Sequence, residues 1–232
     1  MRNRIAVLHL ALALAGLAWP GQASAQSINS AYRFLNTKQA FTGFAGYLAT
    51  GRGSLELGPE SGLIYGLRYD ISISGPFVIE GDFSYFSRTR AVWDTVPGDT
   101  TRRTVGDADF TTFLVNASLR FNLTGPRTWH GLLPYVLFGL GVAIDGSSAS
   151  AAETNLAADA RFDFGTSFMG VLGGGMEAKL SDRFGLRLDA RNLLWKLKTP
   201  TAFLVKGDQA RLLPGDEWAQ NLALTGGLVF RF

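Results

Sequence analysis

Fifteen residues, Trp218 to Phe232 (WAQNLALTGGLVFRF), limit what this chain can become. Read at period two, Trp218, Gln220, Leu222, Leu224, Gly226, Leu228, Phe230 and Phe232 share one face. Ala219, Asn221, Ala223, Thr225, Gly227, Val229 and Arg231 share the other. The pattern is a strand with one apolar face and one small or polar face. An apolar strand that closes on Phe232 needs surroundings that tolerate a terminal aromatic ring. A lipid-facing strand ending at headgroup level provides them. The expectation is the closing strand of a membrane-spanning β-barrel.

The N-terminus must be set aside before the fold is read. Arg2 and Arg4 precede an apolar run from Ile5 to Trp19, then Pro20-Gly21 and the small-residue signal Ala23-Ser24-Ala25. Residues 1–25 read as a cleaved signal peptide, with Gln26 as the mature start. The mature chain then has 232 − 25 = 207 residues and loses two arginines, so its net charge falls from +3 to +1. Near-balance gives no reason to expect nucleic acid as a partner. An exported chain without cysteine has no disulfide framework, so packing or the membrane must hold it. Later uncharged runs such as Leu132 to Ile144 are short and carry Pro134, Gly139 and Gly141, which excludes a spanning helix.

Eight strands are expected, at about 39–50, 63–73, 77–92, 109–123, 133–144, 167–180, 184–197 and 218–232, with a bulge at Asn192 where Leu193 and Leu194 adjoin. Connections alternate between short turns, such as Ser74-Gly75-Pro76 and Ser181-Asp182-Arg183, and long segments at 51–62, 93–108, 145–166 and 198–217. Short periplasmic turns alternating with long outer loops mark an outer-membrane barrel with periplasmic termini. The fold class is therefore all-β, an eight-stranded antiparallel up-and-down transmembrane barrel over residues 39–232. Residues 26–38 form a lead-in packed under or inside it, since Tyr32, Phe34 and Leu35 argue against disorder.

Period two does not say which face points inward; capacity does. An eight-stranded interior holds only side chains or one small ligand, too little for the apolar faces of all eight strands. The apolar band therefore faces lipid. Inward go the charges Arg68, Asp70, Glu80, Asp82, Arg88, Arg120, Glu177, Lys179, Arg187, Asp189, Arg191 and Arg231. Neighbouring opposite charges should pair, Arg68 or Arg120 with Glu80 or Asp82, and Glu177 with Arg187 or Arg191. The lumen reads as a polar plug, with a narrow pore as the alternative. A soluble periplasmic lipid-binding barrel is the other alternative. Trp93, Trp195 and Trp218 toward the outer ends, and Trp129 and Tyr135 toward the periplasmic end, would form two interfacial girdles.

Gly227-Leu228-Val229-Phe230-Arg231-Phe232 resembles the C-terminal signature of outer-membrane barrels, and the whole mature chain is similar to the small outer membrane protein A/X-like barrels. The resemblance implies an outer-membrane location, lipid and lipopolysaccharide as surroundings, and recognition of Gly227, Phe230 and Phe232 by the barrel-assembly machinery. It implies no activity. Of two histidines, His9 leaves with the signal and His130 lies in a predicted turn beside Trp129, so a Ser-His site at the outer surface has no histidine. Asp99, Asp107 and Asp109, and Asp145, Glu153, Asp159 and Asp163, lack calcium-loop spacing and read as solvated loop acids. Gly173-Gly174-Gly175 lies mid-strand with no Lys-Ser/Thr after it and is no phosphate loop. No cofactor, metal or enzyme activity is expected, and the oligomeric state is left open.

Overall fold

Strands in lipid can satisfy their backbone groups only by closing into a ring. The computed structural model of the chain describes residues 30–95, 102–148, 150–204 and 216–232. The expected signal peptide, 1–25, lies outside the described residues. Among the described residues ten strands occur: β1 (Tyr32–Phe34), β2 (Gln39–Ala49), β3 (Gly62–Ser74), β4 (Phe77–Thr95), β5 (Arg102–Asn122), β6 (Arg127–Trp129), β7 (Leu132–Asp145), β8 (Thr166–Lys179), β9 (Phe184–Lys198) and β10 (Asp216–Arg231). Eight make the barrel, in the antiparallel order β2-β3-β4-β5-β7-β8-β9-β10, and β10 returns to β2 through Phe230↔Phe41 and Leu224↔Tyr47. Those eight match the eight expected strands.

The barrel has a turn end and a loop end. At the turn end β3 and β4 are joined through Gly75, whose φ of 56° suits a residue without Cβ. The β6–β7 hairpin turns on His130 and Gly131, both at positive φ (50° and 82°), the twist a two-residue hairpin requires. At the loop end the connection 146–165 carries a short helix α1 (Ala151–Thr154), closed by a reciprocal Ser150–Glu153 capping box, and a 3-10 turn at Ala158–Ala160.

Two local expectations change, and a third is narrowed. The bulge at Asn192 is absent: the ladder runs unbroken through Asn192↔Leu172 and Asn192↔Leu222. Leu193 simply points inward and Leu194 outward, because the inner face itself turns apolar there. The segment 93–108 is mostly ribbon, since β4 and β5 extend past the barrel, with a register shift at Val92/Trp93. One face of that ribbon is covered, with Val92 and Ala108 packed on Leu156 and Ala160, which gives the extension a small core of its own. The lead-in forms β1, paired with β6 through Tyr32↔Trp129 and Phe34↔Arg127; it extends the sheet below the barrel wall and is not inside.

The band facing outward is apolar: Phe41, Tyr65, Leu67, Ile79, Phe83, Phe138, Leu172, Leu188 and Leu228 are all exposed. A soluble barrel would hide these and expose its charges. Cross-strand aromatic pairs reinforce the rims, with Tyr65–Tyr85 at 5.2 Å and Phe184–Phe230 at 5.4 Å between ring centres.

Candidate functional site

Inward positions of every barrel strand converge on the lumen, which is filled in two layers. On the turn side Arg68, Asp70, Glu80, Asp82, Arg120, Glu177, Arg187, Asp189, Arg191 and Arg231 are all buried. That is five bases and five acids, so the layer is neutral.

Alternation on β3, β4 and β9 presents these groups at one height. Arg187, with no exposed surface, lies at the centre. It pairs with Glu80, with Asp70 at 3.1 Å and with Asp189 at 3.2 Å, and its Nε donates to the Tyr135 hydroxyl at 2.7 Å. Arg68 Nε donates to Asp82 and its Nη1 to Asp189, both at 2.7 Å, and Nη2 reaches Thr225. Arg191 binds Glu80 at 2.6 Å, Asp189 at 3.0 Å and Asp82 at 3.3 Å. Arg120 donates to Asp70 at 2.7 Å. Glu177 takes Arg231, across the turn end, and not Arg187 or Arg191. Arg231 reaches it because inward parity on β10 brings its long side chain to the barrel floor.

Guanidinium planes also stack. Arg68 lies 3.7 Å from the centre of the Phe44 ring, and Arg120 and Arg187 lie over Tyr135 at 4.9 and 4.8 Å. Space for them comes from inward glycines: a Cβ on Gly66 would lie 2.2 Å from the Phe83 carbonyl and 2.8 Å from Phe44.

On the loop side the interior is apolar. Leu48, Ile64, Phe86, Leu114, Ala143, Met169, Leu193, Trp195 and Leu197 fill it. Phe164, carried by the 146–165 connection, drops in and packs edge-on against Phe110 at 5.2 Å and Trp195 at 6.3 Å.

Five expected placements are corrected. Arg88 is exposed at the loop-side rim, where its Nε donates to the Ser61 carbonyl. Lys179 bonds Asp182 at 3.0 Å at the turn end, outside the ten-charge layer. Tyr135 and Trp195 are not in the girdles: both point inward and are buried, Tyr135 donating to Asp189. Trp129 and Trp218 are exposed at opposite ends, and Trp93 is half-buried beyond the register shift. Arg90, one step beyond Arg88 on the same face, is the buried arginine of the loop end, paired with Glu153 and lying over Phe162. Glu153 is thus no solvated loop acid, whereas Asp107, Asp109, Asp159 and Asp163 are exposed. Asp99 lies outside the described residues. Among the described residues no group of three His, Cys, Asp or Glu side chains could hold a metal ion. Gly227 faces inward on β10, while Phe230 and Phe232 face outward.

The family model described as outer membrane protein beta-barrel domain matches residues 9–232. Among solved structures, Neisserial surface protein A is similar at 12% identity and a TM-score of 0.53, over 88% of this chain and 98% of that one. The outer membrane protein OprG from Pseudomonas aeruginosa is similar at 11% identity and a TM-score of 0.51, over 84% and 97%. At these identities the likeness is one of fold. No curated protein matches the chain.

Proposed function

The chain belongs to the outer membrane protein beta-barrel domain family, and from that premise we propose a non-enzymatic, non-conducting barrel that acts through its surfaces and loops. It is an integral outer-membrane protein with a filled lumen, charged on the turn side and apolar on the loop side. The observation that carries the proposal is the double seal: ten charges paired into a neutral layer, capped by the apolar layer around Trp195. A path for ions would have to cross both.

The turn end faces the periplasm and the loop end the outside, as short turns and long loops argue. Lipid and lipopolysaccharide surround the apolar band, and the barrel-assembly machinery reads Gly227, Phe230 and Phe232. The native chain has no cysteine, which makes the orientation simple to test. Ser148→Cys should react with an impermeant maleimide on whole cells and Ser181→Cys only after lysis.

Conductance separates the plug from the pore. Purified protein in planar bilayers should give no steps above background; regular steps would favour the narrow pore.

A further inference from the structure

The β1–β6 ribbon contributes nothing to barrel closure, yet it is built into the fold. Leu35 and His130 donate backbone bonds to Pro126 and Ala31 across it. Its outward direction follows from register. Trp129 pairs with Leu132, and on β7 the even-numbered residues Val136, Phe138 and Leu140 face outward. Tyr32, Phe34 and Trp129 therefore share the lipid-side face and are all exposed, while Thr128 on the opposite face is buried.

Charge points the same way. The turn end holds Arg33, Lys38, Arg127, Lys179 and Arg183 against the single acid Asp182. Lys179 occupies that acid, and its hydrogen bond holds the Asp182 carboxyl below the usual range. Arg33, on the opposite face with Thr128, also acts on Asp182; among the described residues Lys38, Arg127 and Arg183 have no carboxylate within ion-pair distance, and the Arg127 guanidinium lies 4.4 Å from the centre of the Phe34 ring. Aromatic rings at headgroup depth beside unneutralised guanidinium groups suit a phosphate on a glycerol backbone.

We propose that the ribbon is an interfacial foot that binds the headgroups of anionic glycerophospholipids in the periplasmic leaflet. Tyr32, Phe34 and Trp129 enter the interface, and Arg127, on their face through its pairing with Phe34, binds the phosphate. The assignment of leaflet rests on the orientation proposed above; the chemistry does not.

The test uses the mature chain refolded into symmetric vesicles of phosphatidylethanolamine and phosphatidylglycerol, with bromine on the acyl chains of one or the other. The fluorescence difference between the native chain and Trp129→Phe isolates Trp129. Brominated phosphatidylglycerol should quench that component about twofold more than brominated phosphatidylethanolamine at equal mole fraction. Arg127→Gln should equalise the two while leaving Trp129 quenched, with unheated gel mobility reporting an intact barrel. Equal quenching in the native chain, or none by either lipid, would overturn the proposal. Because both leaflets are alike, the result does not depend on orientation, which the cysteine labelling reads separately.

Discussion

On β9 the inward side chains are Arg187, Asp189 and Arg191 on the turn side, then Leu193, Trp195 and Leu197 on the loop side. One strand thus samples both halves of the interior. The first half is held by direction: each guanidinium has named carboxylates at hydrogen-bond distance, and the charges sum to zero. The second is held by volume: rings and branched chains fill space, and Phe164 closes it from a loop. A charge without its partner is costly to keep buried, whereas a methylene removed from an apolar layer leaves only a small void. The two halves should therefore respond differently to substitutions of similar size.

Arg187→Met tests the charged half most severely. It leaves Glu80, Asp70 and Asp189 without their shared cation, and loss of one partner of a buried ion pair costs about 3–5 kcal/mol. Urea unfolding of barrel refolded in vesicles, followed by tryptophan fluorescence, should show that loss. A change below about 1 kcal/mol would mean the layer is solvated enough to behave as a surface, where ion pairs contribute little.

Ile64→Val in the apolar half removes one methylene from a side chain 2% exposed. The expected loss is about 0.5–1.5 kcal/mol in the same measurement. A loss equal to that of Arg187→Met would erase the contrast between the halves.

The same contrast explains what could be read beforehand. Eight alternating segments and their turns were legible, because period two is a local signal and lipid demands closure. The sign of the inner face was legible from room alone. Tyr135 and Trp195 were misplaced because strand-end position outweighed parity. The parity was present in the sequence: Tyr135 lies two residues from inward Leu137, and Trp195 two from Leu193. Arg88 and Arg90 share a face, and only α1, bringing Glu153 from 63 residues away, decides which is buried. The β1–β6 pairing joins two three-residue stretches too short to show any period. Phe164, which closes the apolar layer, was hidden because it comes from a connection with no periodicity.

The sharpest question is whether the charged half depends on charge or only on being filled. Glu177 and Arg231 make the cleanest test, since among the described residues each has the other as its ion-pair partner. Arg231→Met alone should lose about 3 kcal/mol, because Glu177 is then buried without a counter-charge. Glu177→Leu with Arg231→Met should return to within about 1 kcal/mol of the native chain, since an apolar pair of similar volume removes both desolvation penalties. Arg231 lies between Phe230 and Phe232, so refolding from urea without any assembly factor is needed to keep a stability effect apart from an assembly effect. If the double variant is as unstable as the single one, the barrel floor needs the bond itself, and the two halves differ in kind. If it recovers, both halves are packing problems, and the charges set which partners meet more than how tightly the barrel holds.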